Sequence, residues 1–182
     1  LGYELYIKMP EAKEIFNLIL ESGKEFEISL CGMLAMDTMR MESGYLHWGH
    51  DISPEENQYQ AGLNFAISYK KNINFVGKKA ILKMKEKNQN KKFAMFILKN
   101  NKPGEPLLLH DEPIYSDGKI IGRTTSGNYS FNYNKNMAFG YINSELSKEE
   151  LAKKEYVIEV EKIKYSAFMI LKPLNDQNIK TA

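Results

Sequence analysis

The strongest constraint on the fold is the series of short strand-like segments between residues 93 and 171, which are separated by turn residues. Apolar side chains recur in them at the two-residue spacing that places one face of a strand against a core. Asp117 and Gly118 are typical of a two-residue hairpin turn, because both residue types tolerate positive φ angles. Six or seven short strands in about 80 residues predict a small antiparallel β-barrel. The predicted strands are 93–98, 107–109, 113–115, 119–125, 137–142, 156–160 and 165–171.

Helical spacing dominates the first half of the chain. Pro10 favours a helix start, apolar residues between 12 and 20 recur at helical spacing, and Gly23 ends the run. The predicted fold class is therefore α+β: a part with mixed helices and strands over residues 1–88, followed by a β-barrel domain over residues 89–182. Further helices are predicted over 33–43, before Gly44, and over 77–87, with short strands at 3–7, 26–30 and 63–67.

The predicted domain boundary lies where the composition changes. Residues 78–92 contain seven lysines and one glutamate, and the polar run 88–90 interrupts them. This pattern is typical of a solvated helix followed by a linker. A nucleic-acid-binding patch is the alternative interpretation, but no aromatic residues are interleaved with the lysines. The net charge of +2 is too small for an obligate nucleic-acid binder, so no nucleic-acid partner is predicted.

Cysteine content and hydropathy indicate the setting of the chain. Cys31 is the single cysteine, which excludes an intrachain disulfide and favours a reducing, cytoplasmic location. It is more typical of a buried small residue than of a nucleophile. The longest uncharged apolar run, 93–98, is far short of the roughly 20 residues that a membrane span needs. Because the chain opens with Leu1 inside a predicted strand, we expect that an upstream segment is missing.

Two charged residues are candidates for ligand binding. Arg40 and Arg123 are the only arginines among 25 basic residues, and lysine cannot reproduce a planar, bidentate guanidinium. Arg40 lies one helical turn after Asp37, which leaves two interpretations: an intrahelical ion pair, or a guanidinium that faces a cleft and binds a carboxylate. Glu4 either points to solvent or, if buried, accepts two N–H donors from a pterin-like ring.

The stretch 45–51 is the densest group of polar and aromatic residues. A metal site there would use His47, His50 and Asp51, but no cysteine or further histidine reinforces them, so no metal site is predicted. The alternatives are a turn packed by Trp48, and a flat ligand stacked beside Trp48. The sequence has no phosphate-binding glycine loop, dinucleotide-binding motif or serine-hydrolase motif. No catalytic residue is predicted in this chain.

Seven short motifs together resemble the glycine cleavage T-protein (aminomethyltransferase) family. They follow the order of that family and cover roughly residues 2–174. The stretch 45–52 is most similar to the folate domains that end sarcosine and dimethylglycine dehydrogenases. The motifs are GYELY (2–6), DTMRMESG (37–44), YLHWGHDI (45–52), AGLNFA (61–66), FVGKKA (75–80), GRTTSG (122–127) and AFGY (138–141).

The resemblance implies tetrahydrofolate-dependent one-carbon transfer. In this family the glutamate that matches Glu4 holds the pterin ring, and the arginine that matches Arg40 lies in the folate site. Trp48 would lie near the cofactor channel, and Tyr3 belongs to the same motif as Glu4. The expected cofactor-binding residues are therefore Tyr3, Glu4, Arg40 and Trp48.

The chain also departs from the family pattern. The N-terminal half of the family is absent, and with it an aspartate that orients folate and assists proton transfer. A tyrosine near the family's C-terminus has no match, since Ile179 falls about there. Met36 stands where the T-proteins often have arginine, which favours the demethylating dehydrogenase branch. In that branch a flavin domain precedes the folate domain, so FAD is expected only with a missing upstream domain.

The expected function is transfer of an amine-bound methylene group, from a small amine-derived donor, to tetrahydrofolate. This would be one part of an aminomethyltransferase or a demethylating dehydrogenase, and the chain alone is expected to be inactive. The alternative is a non-catalytic folate-binding or interaction module left from a split or truncated gene, and a basic nucleic-acid module ranks third. Either self-association or a partner that supplies the N-terminal half is expected.

Overall fold

The second half of the chain closes into a six-stranded antiparallel barrel in the computed structural model, which describes residues 3–71, 73–87, 89–100 and 102–177. Around the barrel the strand order is β1-β4-β3-β2-β5-β6. Closure pairs every strand with two neighbours, which removes the exposed edges of an open sheet. The predicted barrel is confirmed. The strands are β1 (Lys91–Leu98), β2 (Pro113–Ser116), β3 (Lys119–Ser130), β4 (Lys135–Asn143), β5 (Glu155–Val160) and β6 (Ile163–Ile170).

The turn between β2 and β3 forms as the sequence predicts. Asp117 and Gly118 have φ angles of 51° and 77°, the positive values that a tight hairpin needs. The predicted strand 107–109 is wrong, because this segment lies outside the ladder and its Leu108 packs against β3 instead. A Cβ atom on Gly127 would lie only 2.3 Å from the Leu108 Cβ atom, so the missing side chain makes room for Leu108.

The barrel interior is a continuous apolar cluster. Phe96 and Tyr156 pack edge to face with ring centroids 5.1 Å apart, and Tyr156 donates its hydroxyl hydrogen to the Leu151 carbonyl at 2.7 Å. Burial raises the pKa of Tyr156 to about 12. The buried members of the cluster are Ala94, Phe96, Leu98, Leu108, Ile114, Ala138, Ile142, Leu151, Tyr156, Ile158, Val160, Ala167 and Met169.

A second apolar cluster joins helix α2 (Met33–Glu42) to the outside of the barrel wall. Met41 of α2 is buried among side chains of β1 and β4, together with Leu174. Helix α2 ends shortly before Gly44, as predicted, where a φ of 74° favours glycine. The other helices are α1 (Met9–Ser22), α3 (Lys78–Lys85) and α4 (Lys148–Leu151).

The chain divides into two compact units, residues 1–35 and 36–182. The predicted domain boundary at residue 88 falls inside the second unit and stays a prediction. In the first unit α1 forms as expected, with Pro10 in its first turn, but none of its residues is buried. None of the helices in the described ranges is long and apolar enough to cross a bilayer.

Three predicted strands and the predicted burial of Cys31 are wrong. Residues 3–7 and 26–30 pair with no strand in the part of the chain that the structure describes, and a strand without a ladder partner leaves its backbone groups unsatisfied. Residues 63–67 contain a 3₁₀ turn over Asn64–Ala66 instead. Cys31 is exposed.

Candidate functional site

Arg40 lies at the centre of a hydrogen-bonded cluster between α2 and β3. Its Nε donates to Asp37 Oδ1 at 2.7 Å, so the intrahelical pair is confirmed. Nη1 donates to the Tyr45 carbonyl at 3.2 Å and to Asp51 Oδ2, and Nη2 donates to Ser126 Oγ at 2.8 Å. Four of the five guanidinium N–H groups therefore have partners among the described residues, so most of the hydrogen-bonding capacity of Arg40 is used inside the protein.

Asp51 is the buried counter-charge of Arg40. Its side chain is 0% exposed, and besides Arg40 it accepts hydrogen bonds from Thr125 Oγ1 at 2.5 Å, Ser126 Oγ at 2.8 Å and the His47 backbone N–H at 2.9 Å. A buried carboxylate is costly unless its acceptor sites are filled, and here they are. Asp51 thereby fixes the segment that carries Trp48 to strand β3.

The charges of the cluster do not favour a ligand that carries a carboxylate. Asp37 and Asp51 together carry two negative charges against the single positive charge of Arg40. The remaining acceptor surface belongs to Asp37, which is about one-third exposed and whose Oδ2 accepts from Asn128 Nδ2 at 3.2 Å. The arrangement suits a ligand that donates hydrogen bonds. The predicted contact of Arg40 with folate stays a prediction.

A second buried carboxylate, on Glu42, fixes the end of α2. It accepts from Ser130 Oγ at 2.5 Å and from Asn132 Nδ2 at 2.9 Å. Both donors lie at the β3–β4 hairpin, so α2 is attached to the barrel at two points, through Arg40 and through Glu42. This double attachment gives the Arg40 side chain a fixed position.

Trp48 extends from the fixed segment into solvent, with 65% of its surface exposed. The rings of His47 and His50 on the same segment have centroids 4.6 Å apart. Within the described ranges, no group of three His, Cys, Asp or Glu side chains has the geometry to hold a metal ion. An exposed indole face held on an ordered segment is available for stacking with a flat ligand.

Tyr3 and Glu4 lie in the first unit, and both are exposed. Glu4 Oε2 accepts a hydrogen bond from the Tyr6 hydroxyl at 2.8 Å. Arg40 and Trp48 lie in the second unit. The expectation that these four residues bind the cofactor stays a prediction. Ile179 lies outside the described residues.

Sequence reasoning identifies Arg40 and Asp37 but misses the partners that fix them. Ser126 is 86 positions from Arg40, and no local pattern predicts such a contact. The sequence pattern suggests Asp51 only as a metal ligand. The available signal is that a lone acidic residue near a helix-borne arginine needs a charge partner once both are buried.

Two segments of the chain match known family descriptions. Residues 1–71 match the "GCVT N-terminal domain", and residues 91–176 match the "Glycine cleavage T-protein C-terminal barrel domain". The second segment contains all six strands of the barrel.

Three curated relatives illustrate the similarity. The chain is 38% identical over 129 residues to 4-methylaminobutanoate oxidase (formaldehyde-forming) from Paenarthrobacter nicotinovorans. The aligned region covers 71% of this chain and 15% of the relative. It is 35% identical over 142 residues to aminomethyltransferase from Halothermothrix orenii, and this aligned region covers 78% of this chain and 38% of that relative. It is 31% identical over 176 residues to human mitochondrial dimethylglycine dehydrogenase, and this aligned region covers 96% of this chain and 19% of that relative. The chain thus spans less than half the length of each.

A solved structure shares the fold. It is the aminomethyltransferase T of the glycine cleavage system from Bartonella henselae, with a TM-score of 0.74 and 20% sequence identity. The alignment covers 89% of this chain and 44% of that one. At this identity the likeness shows the fold alone.

Proposed function

Because the chain belongs to the glycine cleavage T-protein family, we propose that it takes part in tetrahydrofolate-dependent one-carbon transfer. In the proposed reaction an amine-bound methylene group passes to tetrahydrofolate. The observation that carries the proposal is the match of residues 1–71 and 91–176, in chain order, to two domains of this family.

The amine donor is the finer part of the proposal. Relatives include an aminomethyltransferase and a dimethylglycine dehydrogenase, so the donor is either a glycine-derived aminomethyl group or an oxidised methylamine. The Trp48 motif favours the second branch. FAD would then be bound by another part of a longer protein. We also propose a reducing, cytoplasmic setting, which suits the single exposed Cys31.

Each unit offers an exposed group with chemistry that suits a folate. A pterin ring offers N–H donors and a flat face. The Glu4 carboxylate is an exposed acceptor, and the Trp48 indole is an exposed stacking surface. We propose that Tyr3 and Glu4 hold the pterin, and that Arg40 contributes to folate binding mainly by fixing the segment of Trp48.

The proposed role of these residues is to bind and orient the reactants. Bound tetrahydrofolate would supply the nucleophilic nitrogen, and capture of an iminium by an amine is intrinsically easy. The rate gain then comes from placing the two reactants together. No side chain of this protein is assigned a proton-transfer step.

Calorimetric titration of tetrahydrofolate into the chain tests the proposal. We expect weak binding, with a Kd of about 0.1–1 mM, because the chain spans less than half of its aminomethyltransferase relative and offers few contacts. Glu4→Gln should weaken binding about tenfold, whereas Glu11→Gln, a matched exposed glutamate of the same unit, should leave it unchanged. Absence of binding by the folded chain would contradict the proposal.

A second measurement separates catalysis from binding. Formation of methylene-tetrahydrofolate from formaldehyde is followed with and without the chain. We expect no acceleration by this chain alone. Acceleration would contradict the expected inactivity. Binding that persists equally in Glu4→Gln would contradict the assigned site.

A further inference from the structure

A cavity of about 550 Å³ lies in the second unit, and Arg40 is not among its described lining residues. Its volume falls in the range of roughly 300–1,000 Å³ that is typical of small-molecule sites. The wall is made largely of apolar and aromatic side chains from β1 and from the segments 43–46, 61–65 and 171–173. They include Tyr45, Leu46, Leu63, Phe65, Phe93 and Met95.

Lys148 is the single charged side chain among the described residues that line this cavity. Its Nζ lies 3.3 Å from the position that a Cβ atom on Gly62 would occupy. Gly62 has a φ of 74°, a backbone conformation that favours glycine. The ammonium is therefore packed against bare backbone in the cavity wall.

The Lys148 ammonium has no counter-ion in the described part of the chain. No carboxylate there lies within 4.0 Å of its Nζ, and no hydrogen bond from Nζ is formed among those residues. The charged groups that act on it from a greater distance are Glu149 of α4 and Lys92 of β1. One is negative and one is positive, so they act on the charge of Lys148 in opposite directions.

Burial lowers the pKa of Lys148, and the nearby positive charge of Lys92 lowers it further, while Glu149 acts in the opposite direction. Burial also lowers the pKa of Lys92, whose Nζ donates to the Ser144 carbonyl, and Glu145 partly offsets that effect. A cation beside an apolar wall loses part of its hydration, which raises the free energy of its charged form. An anion that enters the cavity would supply the missing interaction.

We propose that this cavity binds a monocarboxylate with a compact apolar body, its carboxylate on Lys148 Nζ and its body against Phe93 and Met95. A single cation balances one negative charge. A phosphate dianion would need further donors, and the described lining residues include no arginine and no second lysine. The proposal is independent of the proposed folate chemistry, which uses Glu4 and Arg40.

Benzoate titration of the full chain, followed by calorimetry or by ligand-detected NMR, tests the proposal. We expect benzoate to bind and its neutral analogue benzamide to bind at least tenfold more weakly. Lys148→Met should weaken benzoate binding at least tenfold, whereas Lys148→Arg should retain it within a few-fold. Lys153→Met removes an exposed lysine five positions further along the chain and serves as the matched control, with no expected change.

The pH dependence gives a second test that needs no variant. Benzoate affinity should fall as the pH rises through the lowered pKa of Lys148, at a lower pH than an ordinary lysine would require. Equal binding of benzoate and benzamide, or no binding of benzoate, would overturn the proposal. So would a folded Lys148→Met chain, verified by circular dichroism, that binds benzoate like the unaltered chain.

Discussion

The two compact units of the chain differ in how they use their apolar residues. The second unit buries one set of large side chains inside the barrel and another between α2 and the barrel wall, although others, Trp48 and Phe131 among them, stay exposed. In the first unit α1 has an apolar stripe, but Phe16, Leu18 and Ile19 stay exposed and no residue of the helix is buried. The contrast shows that helical periodicity is enough to predict that α1 forms, whereas its burial depends on a partner surface.

The largest expected effect concerns the predicted boundary at residue 88. A segment of residues 89–175 should unfold cooperatively, because every buried member of the interior cluster lies within it. Its Tm should be lower than that of the full chain, because Met41 would no longer cover Phe93 and Phe139. Differential scanning calorimetry of both chains measures this. A non-cooperative, dye-binding segment would show that the barrel needs residues 36–88.

Two Phe→Ala substitutions test how much an interior and an exposed side chain contribute to the free energy of unfolding. Phe96 is 1% exposed, and Phe96→Ala should lower the free energy of unfolding by about 3–5 kcal/mol. Phe16 is 47% exposed, so Phe16→Ala should change it by less than about 1 kcal/mol. Urea denaturation measures both, and equal losses would contradict the assignment of α1 as an uncovered helix.

The exposed apolar stripe of α1 also predicts self-association of the full chain. Apolar patches larger than a few hundred Å² are uncommon on monomers. Sedimentation velocity should therefore show a concentration-dependent shift that Phe16→Ala reduces. A clean monomer at all concentrations would contradict this expectation.

How much the sequence could predict depended on how local the determinants are. The barrel strands and the Asp117 turn were predictable, because each is specified by neighbouring residues. The segment 107–109 was not, because its place is decided by Gly127, a residue without a side chain on a strand that is distant in sequence. Residues 63–67 alternate like a strand, but alternation alone does not supply a ladder partner.

The candidate site likewise contains local contacts that the sequence predicts and long-range contacts that it does not. Asp37 and Arg40 were predictable as a pair because they lie one helical turn apart. The contacts of Arg40 with Asp51 and Ser126 were not predictable, because they form only when the segment that follows α2 folds back on the helix and the barrel brings β3 against both. The proposed ligand contacts of Glu4 and Trp48 cannot be derived from residue spacing, because the groups that these side chains would contact belong to the ligand.

The two arginines of the chain form a matched test of burial. Arg40 pairs with Asp51, which is fully buried, whereas Arg123 pairs with Asp111 at 2.7 Å on the surface. Asp51→Asn should lower the free energy of unfolding by about 3 kcal/mol, because it leaves Arg40 without its buried partner. Asp111→Asn should cost less than about 1 kcal/mol. Urea denaturation at low and high salt measures both, and a similar cost for the two would contradict the buried role of Asp51.

The smallest expected effect is a pH dependence that distinguishes the two units. Burial raises the pKa of Glu56, but hydrogen bonds from Lys91 and Ser53 outweigh it and leave the pKa below its usual value. A carboxyl group with a lowered folded-state pKa stabilises the fold above its unfolded pKa, and this contribution is lost as the pH falls through the folded pKa. Glu56→Gln should therefore lower the free energy of unfolding by about 1 kcal/mol at pH 7 and less at pH 3.

The matched control for Glu56→Gln is Glu21→Gln in the first unit. Glu21 forms an exposed ion pair with Lys24 at 2.5 Å, so its substitution should leave the free energy of unfolding unchanged at both pH values. Denaturation curves at the two pH values decide the matter: a loss for Glu56→Gln that is the same at pH 3 and pH 7 would show that the hydrogen bonds of Glu56, rather than its charge, stabilise the second unit.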